Sequence, residues 1–347
     1  MATIDVTRFP TLRDVAARLG PDGKKADTII NMLAQTNEII QDMVVVECNN
    51  KTSHTTVIKT GLPENAWRRL YKGVPPSKST HAKVTEDCSM LMGMSFIDYK
   101  MYTMAAKPND FLLEESTDAL ESINQTLGNS LFYGDKDKEP EAFNGLSIRY
   151  AKYTRAATDK MKIDYNVIHG GSAPSATDNT SIYFVGWGRQ SIHGIYPVNG
   201  ESIVKVTTSG DDGKQYAKDE DGNEYPAVRV RYEMDTGLCV RDWRYGVRIC
   251  NISMGALDGS TPPDLFDLMR KAFYRIRRYR NKAKFCVYVN PDLFYYLHAQ
   301  AEKKQLYTLT RETYQGAQVL SYLGIPIREC DAIRVDEPRV AQATATA

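Results

Sequence analysis

No two cysteines in this chain stand close enough in sequence to make a metal or redox motif. Cys48, Cys88, Cys239, Cys250, Cys286 and Cys330 are scattered, and none forms a C-x-x-C pair. A zinc knuckle and a thioredoxin-like site are thereby excluded, and free thiols in a reducing cytoplasm are expected. Excess charge of either sign is also missing: 44 Lys plus Arg face 43 Asp plus Glu, a net charge of +1. A dedicated nucleic-acid binder is usually plainly basic. No run of about 18 apolar residues exists, so nothing reads as a membrane span. Residues 1–10 carry Asp5 and Arg8 without an apolar stretch, so no secretory signal is legible.

Catalytic motifs are equally sparse. The run Gly186-Trp187-Gly188-Arg189-Gln190-Ser191 puts Ser where a dinucleotide fingerprint needs its third Gly, and it follows a strand without opening a helix. Gly210-Asp211-Asp212-Gly213-Lys214 has the wrong spacing for a phosphate loop. Residues 219–224 are acidic but lack EF-hand spacing, and read as a solvated hairpin tip. No G-x-S-x-G elbow occurs. His54, His81, His169, His193 and His298 show no metal-ligand spacing and read as surface or sheet histidines. The expectation is a protein with no catalytic residue, no cofactor and no metal.

What is present suits a soluble α+β protein of two or three structural units: 347 residues, 42% of them hydrophobic. The 21 tyrosines fit either an interface-rich protein or Tyr-rich sheet surfaces. Residues 1–43 read as an arm of two short amphipathic helices. The first is capped by Thr11-Leu12-Arg13-Asp14 and stopped by Gly20-Pro21; the second covers residues 26–43. Residues 44–86 read as a long two-stranded projection, β-branched and polar on both faces over residues 52–59. Gly61, Pro63, Gly73, Pro75 and Pro76 punctuate its tip, which carries Trp67, Arg68, Arg69, Tyr71 and Lys72.

Leu112, Leu113, Leu120, Ile123, Leu127 and Leu131 recur at helical spacing and predict a long helix over residues 109–133. From 197 to 247 the pattern is strand and turn, with Asp221-Gly222 as a hairpin signal. Residues 263–282 predict a helix with Leu265, Met269, Phe273 and Ile276 inward, followed by a strand at 285–289 and a helix at 292–303. Closing strands are expected at 319–328 and 332–335, and a flexible tail at 339–347. Arg270, Lys271, Arg275, Arg277, Arg278, Arg280, Lys282 and Lys284 form a basic stripe on and after the 263–282 helix. It reads either as a solvated helix face or as a phosphate-facing surface, with Arg275, Arg277, Arg278 and Lys282 as the candidate genome-facing residues.

Five stretches taken together resemble the major capsid proteins of tailed bacteriophages, in particular a group from short-tailed phages. They are Thr60-Gly61-Leu62-Pro63 with residues 67–73; Pro140 to Leu146 with Arg149-Tyr150; Gly186-Trp187-Gly188 with residues 193–198; Trp243-Arg244-Tyr245 with residues 248–252; and residues 324–328 with Asp331-Ala332-Ile333. The resemblance spans residues 44–338. It implies a capsid fold with an N-terminal arm (1–43), an E-loop β-hairpin (44–86) and a P-domain with its spine helix (87–139). An A-domain follows (140–316), with extra β-structure near 200–247, and residues 317–338 return to the P-domain. It also implies a non-enzymatic shell subunit forming pentamers and hexamers of itself around double-stranded DNA. The implied partners are a separate scaffolding protein, a portal and a decoration protein, with assembly in the host cytoplasm. Trp67, Arg68, Arg69, Tyr71 and Lys72 would make the inter-subunit contacts. The alternative is a transcription regulator, because residues 10–20 resemble the first helix of a helix-turn-helix. However, residues 21–25 intervene where a second helix should begin.

Overall fold

The computed structural model describes residues 37–104, 108–154, 162–198, 205–208, 215–218, 222–259, 262–303, 309–314 and 317–343. The expected arm lies outside these residues apart from the end of its second helix, α1 (Glu38–Asp42).

Strand β1 (Val45–Glu47) is followed by β2 (Ser53–Gly61), β3 (Thr80–Asp87) and β4 (Ser89–Asp98), then by α2 (Tyr99–Met104) and the long helix α3 (Pro108–Tyr133). Next come α4 (Leu146–Arg149), β5 (Lys152–Tyr153), β6 (Val167–His169), β7 (Asn179–Trp187), β8 (Ile192–Tyr196), β9 (Lys205–Thr208), β10 (Gln215–Lys218) and β11 (Glu224–Val240). The chain closes with β12 (Gly246–Ser253), α5 (Met254–Leu257), α6 (Leu265–Ile276), β13 (Lys284–Val289), α7 (Pro291–Lys303), β14 (Leu309–Tyr314), β15 (Ala317–Tyr322), β16 (Ile325–Glu329) and β17 (Ala341–Gln342).

Among the described residues, 13 strands join into one sheet, whose main path runs β10-β11-β8-β7-β13-β16-β15-β14. The residues of β7 and β12 are all buried, as expected of central strands covered on both faces. Helix α6 is capped by Asp264, whose carboxylate accepts from the Phe266 and Asp267 amides. Its Leu265, Met269, Ala272 and Ile276 are fully buried in the same core as β7 and β12. The helix ends at Ile276 and continues as a 3-10 turn over Arg277–Lys282, so the regular element is shorter than the 263–282 pattern predicts.

Strand β11 explains the extra β-structure. Over residues 228–235 its side chains alternate between buried and half-exposed; from 236 onward all are buried. The first part pairs with β4, β9 and β10, and places Val230 and Tyr232 against Ile123 of α3. The last part, Gly237–Val240, pairs with β8 inside the main sheet. One strand thus bridges the region of α3 and the main core, and the period of its burial changes where its partners change. Gly222 adopts φ 86° at the hairpin joining β10 to β11, as the glycine signal there requires.

Several expectations are corrected. Val45–Glu47 pairs in parallel with Gly194–Tyr196 of β8, so the projecting ribbon proper begins at Ser53 and not at 44. Strand β4 carries no clear pattern in the sequence; its Ser, Met and Gly residues have modest strand preference, and pairing with β11 over ten positions supplies the order. Residues 332–335 form a turn and not a strand, with the Asn290 amide donating to the Ile333 carbonyl at 2.7 Å. The expected flexible tail is docked as far as residue 343. Val340 is buried, its backbone exchanges two hydrogen bonds with the Asn251 side chain (2.8 and 2.9 Å), and Ala341–Gln342 pairs with β5. Residues 344–347 lie outside the described set.

Candidate assembly surfaces

The β2–β3 ribbon pairs antiparallel from Ser53↔Asp87 to Lys59↔His81, then shifts register before Gly61↔Thr80. Its base is fixed and its tip is free. At the base His54, Thr56 and Glu86 are buried. Arg149 grips Glu86 through both carboxylate oxygens, 2.6 Å at Oε2, and also donates to the Leu238 carbonyl at 3.2 Å. Lys136 pairs with Asp87. Gly237 admits the ribbon here: a Cβ at that position would sit 2.8 Å from the Asp87 carbonyl oxygen.

Beyond the base the ribbon leaves the core. Trp67 is 102% and Tyr71 100% exposed, so neither touches anything of consequence in the lone subunit. Arg68, Arg69 and Lys72 are exposed beside them. The five predicted contact residues are therefore brought together on one turn, held by the Lys72 amide on the Arg69 carbonyl (3.2 Å) and Arg68 Nε on the Lys72 carbonyl (3.3 Å). Tyr71 has φ 64°, a left-handed conformation costing roughly 1–3 kcal/mol in a non-glycine residue. Two large aromatic rings and two guanidinium groups presented together to solvent are the residue types that anchor protein interfaces.

The basic stripe is split by the fold. Arg275 lies over the Tyr165 ring at 4.3 Å and donates to the Tyr165 and Val167 carbonyls, so it is a packing residue. Lys271 pairs with Asp267 at 2.7 Å and Lys284 with Asp42 at 2.7 Å. Arg277, Arg278 and Lys282 remain exposed on one short turn.

Two buried polar clusters escaped the sequence reading. Arg248 of β12, 4% exposed, pairs with Glu337, 1% exposed, at 2.8 Å. Arg248 also donates to Ser181 Oγ (3.2 Å) and to the Ser147 and Tyr150 carbonyls (3.1 Å each), while Tyr133 and Ser181 donate to Glu337. A lone Arg inside Gly246-Val247-Arg248-Ile249-Cys250 was the available signal for a buried cation. Nothing in the sequence marks Glu337 as its partner.

Asp42 of α1 is the second cluster. Lys284, Arg328 and the Tyr288 hydroxyl converge on it. Burial alone would raise its carboxyl, but hydrogen bonds from Lys284 and Cys286 and the Arg328 charge outweigh that and lower it below the ordinary range. A carboxyl lowered on folding stabilises the fold fully above its unfolded value, about pH 4, and that contribution is lost as pH falls through the lowered value. Asp42→Asn is therefore expected to cost about 1–3 kcal/mol at pH 7 in denaturant melts. The deficit should shrink at pH 3; an equal deficit at both pH values would show that ionisation of Asp42 is not the source.

The fold compares closely with a chain of bacteriophage epsilon15 solved by cryo-EM, with TM-score 0.78 and 32% identity over 99% of this chain and 100% of that one. Weaker likenesses, too low to argue from, include the bacteriophage JBD30 capsid (TM-score 0.47, 7% identity, 88% and 96% covered) and the capsid of the native GTA particle (0.46, 10%, 66% and 94%). A search of curated protein sequences finds no match. The α+β fold with its projecting ribbon and long helix is that of tailed-phage capsid proteins, a class of structural proteins that build shells. The family model of the major capsid protein GP7 matches residues 20–341. The chain belongs to that family: it is a structural protein of the phage capsid, it associates with itself into the shell, and it resides in the virion. Neither comparison supports a transcription regulator, and the residues of that resemblance lie outside the described set.

Proposed function

We propose that the subunit closes its shell as pentamers and hexamers in which the β2–β3 ribbon acts as the E-loop, lying across a neighbouring subunit. The observation that carries this is the tip: Trp67 and Tyr71 have no burial within their own chain. Fully burying such a side chain contributes about 1.5–3 kcal/mol, modest per contact and large when repeated around a shell. In this reading α3 is the spine of the P-domain, and β4 with residues 205–236 belongs beside it. The A-domain takes the main sheet from residue 140 to 316 less that insertion, and residues 317–338 return to the P-domain.

Arg277, Arg278 and Lys282 are the surface we assign to the packaged double-stranded DNA; Arg275 is tied to Tyr165 and is not part of it. All six cysteines are free, which suits assembly in a reducing host cytoplasm. A separate scaffolding protein, a portal and a decoration protein remain the partners that the family resemblance implies. Co-expression with phage assembly proteins, followed by electron microscopy, tests the reading. Wild type is expected to give closed particles, and R277Q/R278Q/K282Q the same particles with reduced DNA retention and a shallower salt dependence. A subunit that stays monomeric with every assembly partner would overturn the assembly reading, and unchanged retention would return the turn to a merely solvated surface.

A further inference from the structure

The ribbon base covers a set of side chains that the shell role does not use. Cys239 of β11 and His193 of β8 are direct antiparallel partners, so they emerge side by side on one face of the sheet. His54 reaches the same point from β2, its ring 5.4 Å from that of His193 and at 85° to it. The ligand-capable atoms of the three residues all lie within 4.8 Å of one another. Cys239 and His193 are 0% exposed and His54 is 9% exposed.

Burial without partners is the second observation. Neither ring nitrogen of His193 meets a partner at full hydrogen-bond geometry, although the Gly188 backbone lies within reach of the ring, and Nδ1 of His54 has no partner. A neutral imidazole carries one N–H donor and one lone pair, and both are costly to bury unmet. A water could meet such groups, but the donor set here is two imidazole nitrogens and a sulfur, which is the borderline-soft set that Zn²⁺ favours. With zinc bond lengths of about 2.0–2.3 Å, tetrahedral ligand atoms lie about 3.4–3.8 Å apart, so closing the site needs about an ångström of side-chain movement. We propose that His54, His193 and Cys239 form a zinc-class metal site that clasps the base of the ribbon to the main sheet.

The surrounding groups fit this. His193 is fully buried, and it is the neutral imidazole that ligates a metal. Cys239 is equally buried, and binding expels its thiol proton as the thiolate forms on the metal. Arg241 is the opposing cation, and it sits in solvent where salt screens it. Glu86 and Arg149 offset each other as an ion pair. The Cys48 and Cys88 thiols, 3.3 Å apart, pack beside Cys239 in the same buried cluster. The metal would fix the ribbon at its root while leaving the tip free to meet a neighbour. Positions 54, 193 and 239 match no ligand spacing, and only the docking of the ribbon brings them together.

The test uses the full-length, untagged protein purified without chelator. Elemental analysis is expected to find about one zinc per chain. His193→Ala and Cys239→Ser should lower zinc affinity by more than the roughly 10–100-fold that loss of an outer-shell partner costs. Cobalt(II) added to the stripped wild-type protein should give the strong visible bands of a tetrahedral site and a near-ultraviolet thiolate charge-transfer band. The thiolate band should be absent in Cys239→Ser. The cobalt spectrum of the wild type decides the matter even if the variants fail to fold. Wild-type protein that holds no zinc and gives no cobalt spectrum, or metal content unchanged in both variants, would overturn the site.

Discussion

Replacing residues 59–81 with a short Gly-Ser turn is expected to leave the subunit folded and to abolish closed particles. Lys59 and His81 face each other across the ribbon and both are exposed, so the cut falls where the strands can be rejoined without opening the core. Everything removed lies outside the core: Leu62, Trp67, Leu70 and Tyr71 are each more than three-quarters exposed. The anchors that fix the base, Arg149 on Glu86 and Lys136 on Asp87, are retained. Shortening the connection also lowers its closure entropy slightly. The thermal midpoint of the isolated subunit should therefore move by no more than about 4 °C, the equivalent of ~1 kcal/mol.

Assembly should respond in the opposite way. Every 1.4 kcal/mol lost from a contact is about tenfold in its equilibrium constant, and a shell repeats the contact in every subunit. Sedimentation and microscopy should show particles reduced by at least about tenfold relative to wild type. An unfolded variant would place the segment in the core, and a normally assembling one would place the shell contacts elsewhere.

Breaking the Arg248–Glu337 pair should have the largest effect on the subunit itself. Arg248→Met leaves the Glu337 carboxylate buried among Tyr133, Ser181 and the Asn179 backbone without its counter-charge. Removing one partner of such a pair ordinarily costs ~3–5 kcal/mol. The loss should extend to the docking of the chain end, since Glu337 is bonded through its backbone to Asn179 and lies three residues before the buried Val340. Urea denaturation should show the loss, and proteolysis should cut after residue 337 sooner than in wild type. Arg248→Met with Glu337→Leu should recover much of the stability, because an apolar pair of similar volume removes the stranded charge. Equal stability of Arg248→Met and wild type would mean that the pair contributes nothing net.

Structure is legible in the chain where one residue's neighbours in sequence decide its environment. Ile123, Leu127 and Leu131 repeat at helical spacing and are buried on α3. Leu120, predicted on the same face, is 39% exposed, because β4 and β11 cover only part of the helix. The exposed tip was also legible: a stretch rich in Gly and Pro, with aromatics and arginines but few aliphatic residues, cannot build a core. The family resemblance rested on short ordered stretches, and the match over residues 20–341 agrees with it.

By itself, then, the sequence determined the helices of regular period, the solvated ribbon tip and the capsid class, because these depend on local periodicity, turn chemistry and composition. Only the tertiary structure decided that Arg248 meets Glu337, that Arg275 packs on Tyr165, that residues 339–343 dock, and that His54, His193 and Cys239 converge. These contacts join residues dozens to almost two hundred positions apart, through strand register and the landing of the ribbon base on β11. A side chain's partner across such a distance leaves no periodic trace in the chain, since it is set by which faces are buried together and not by the residues beside it.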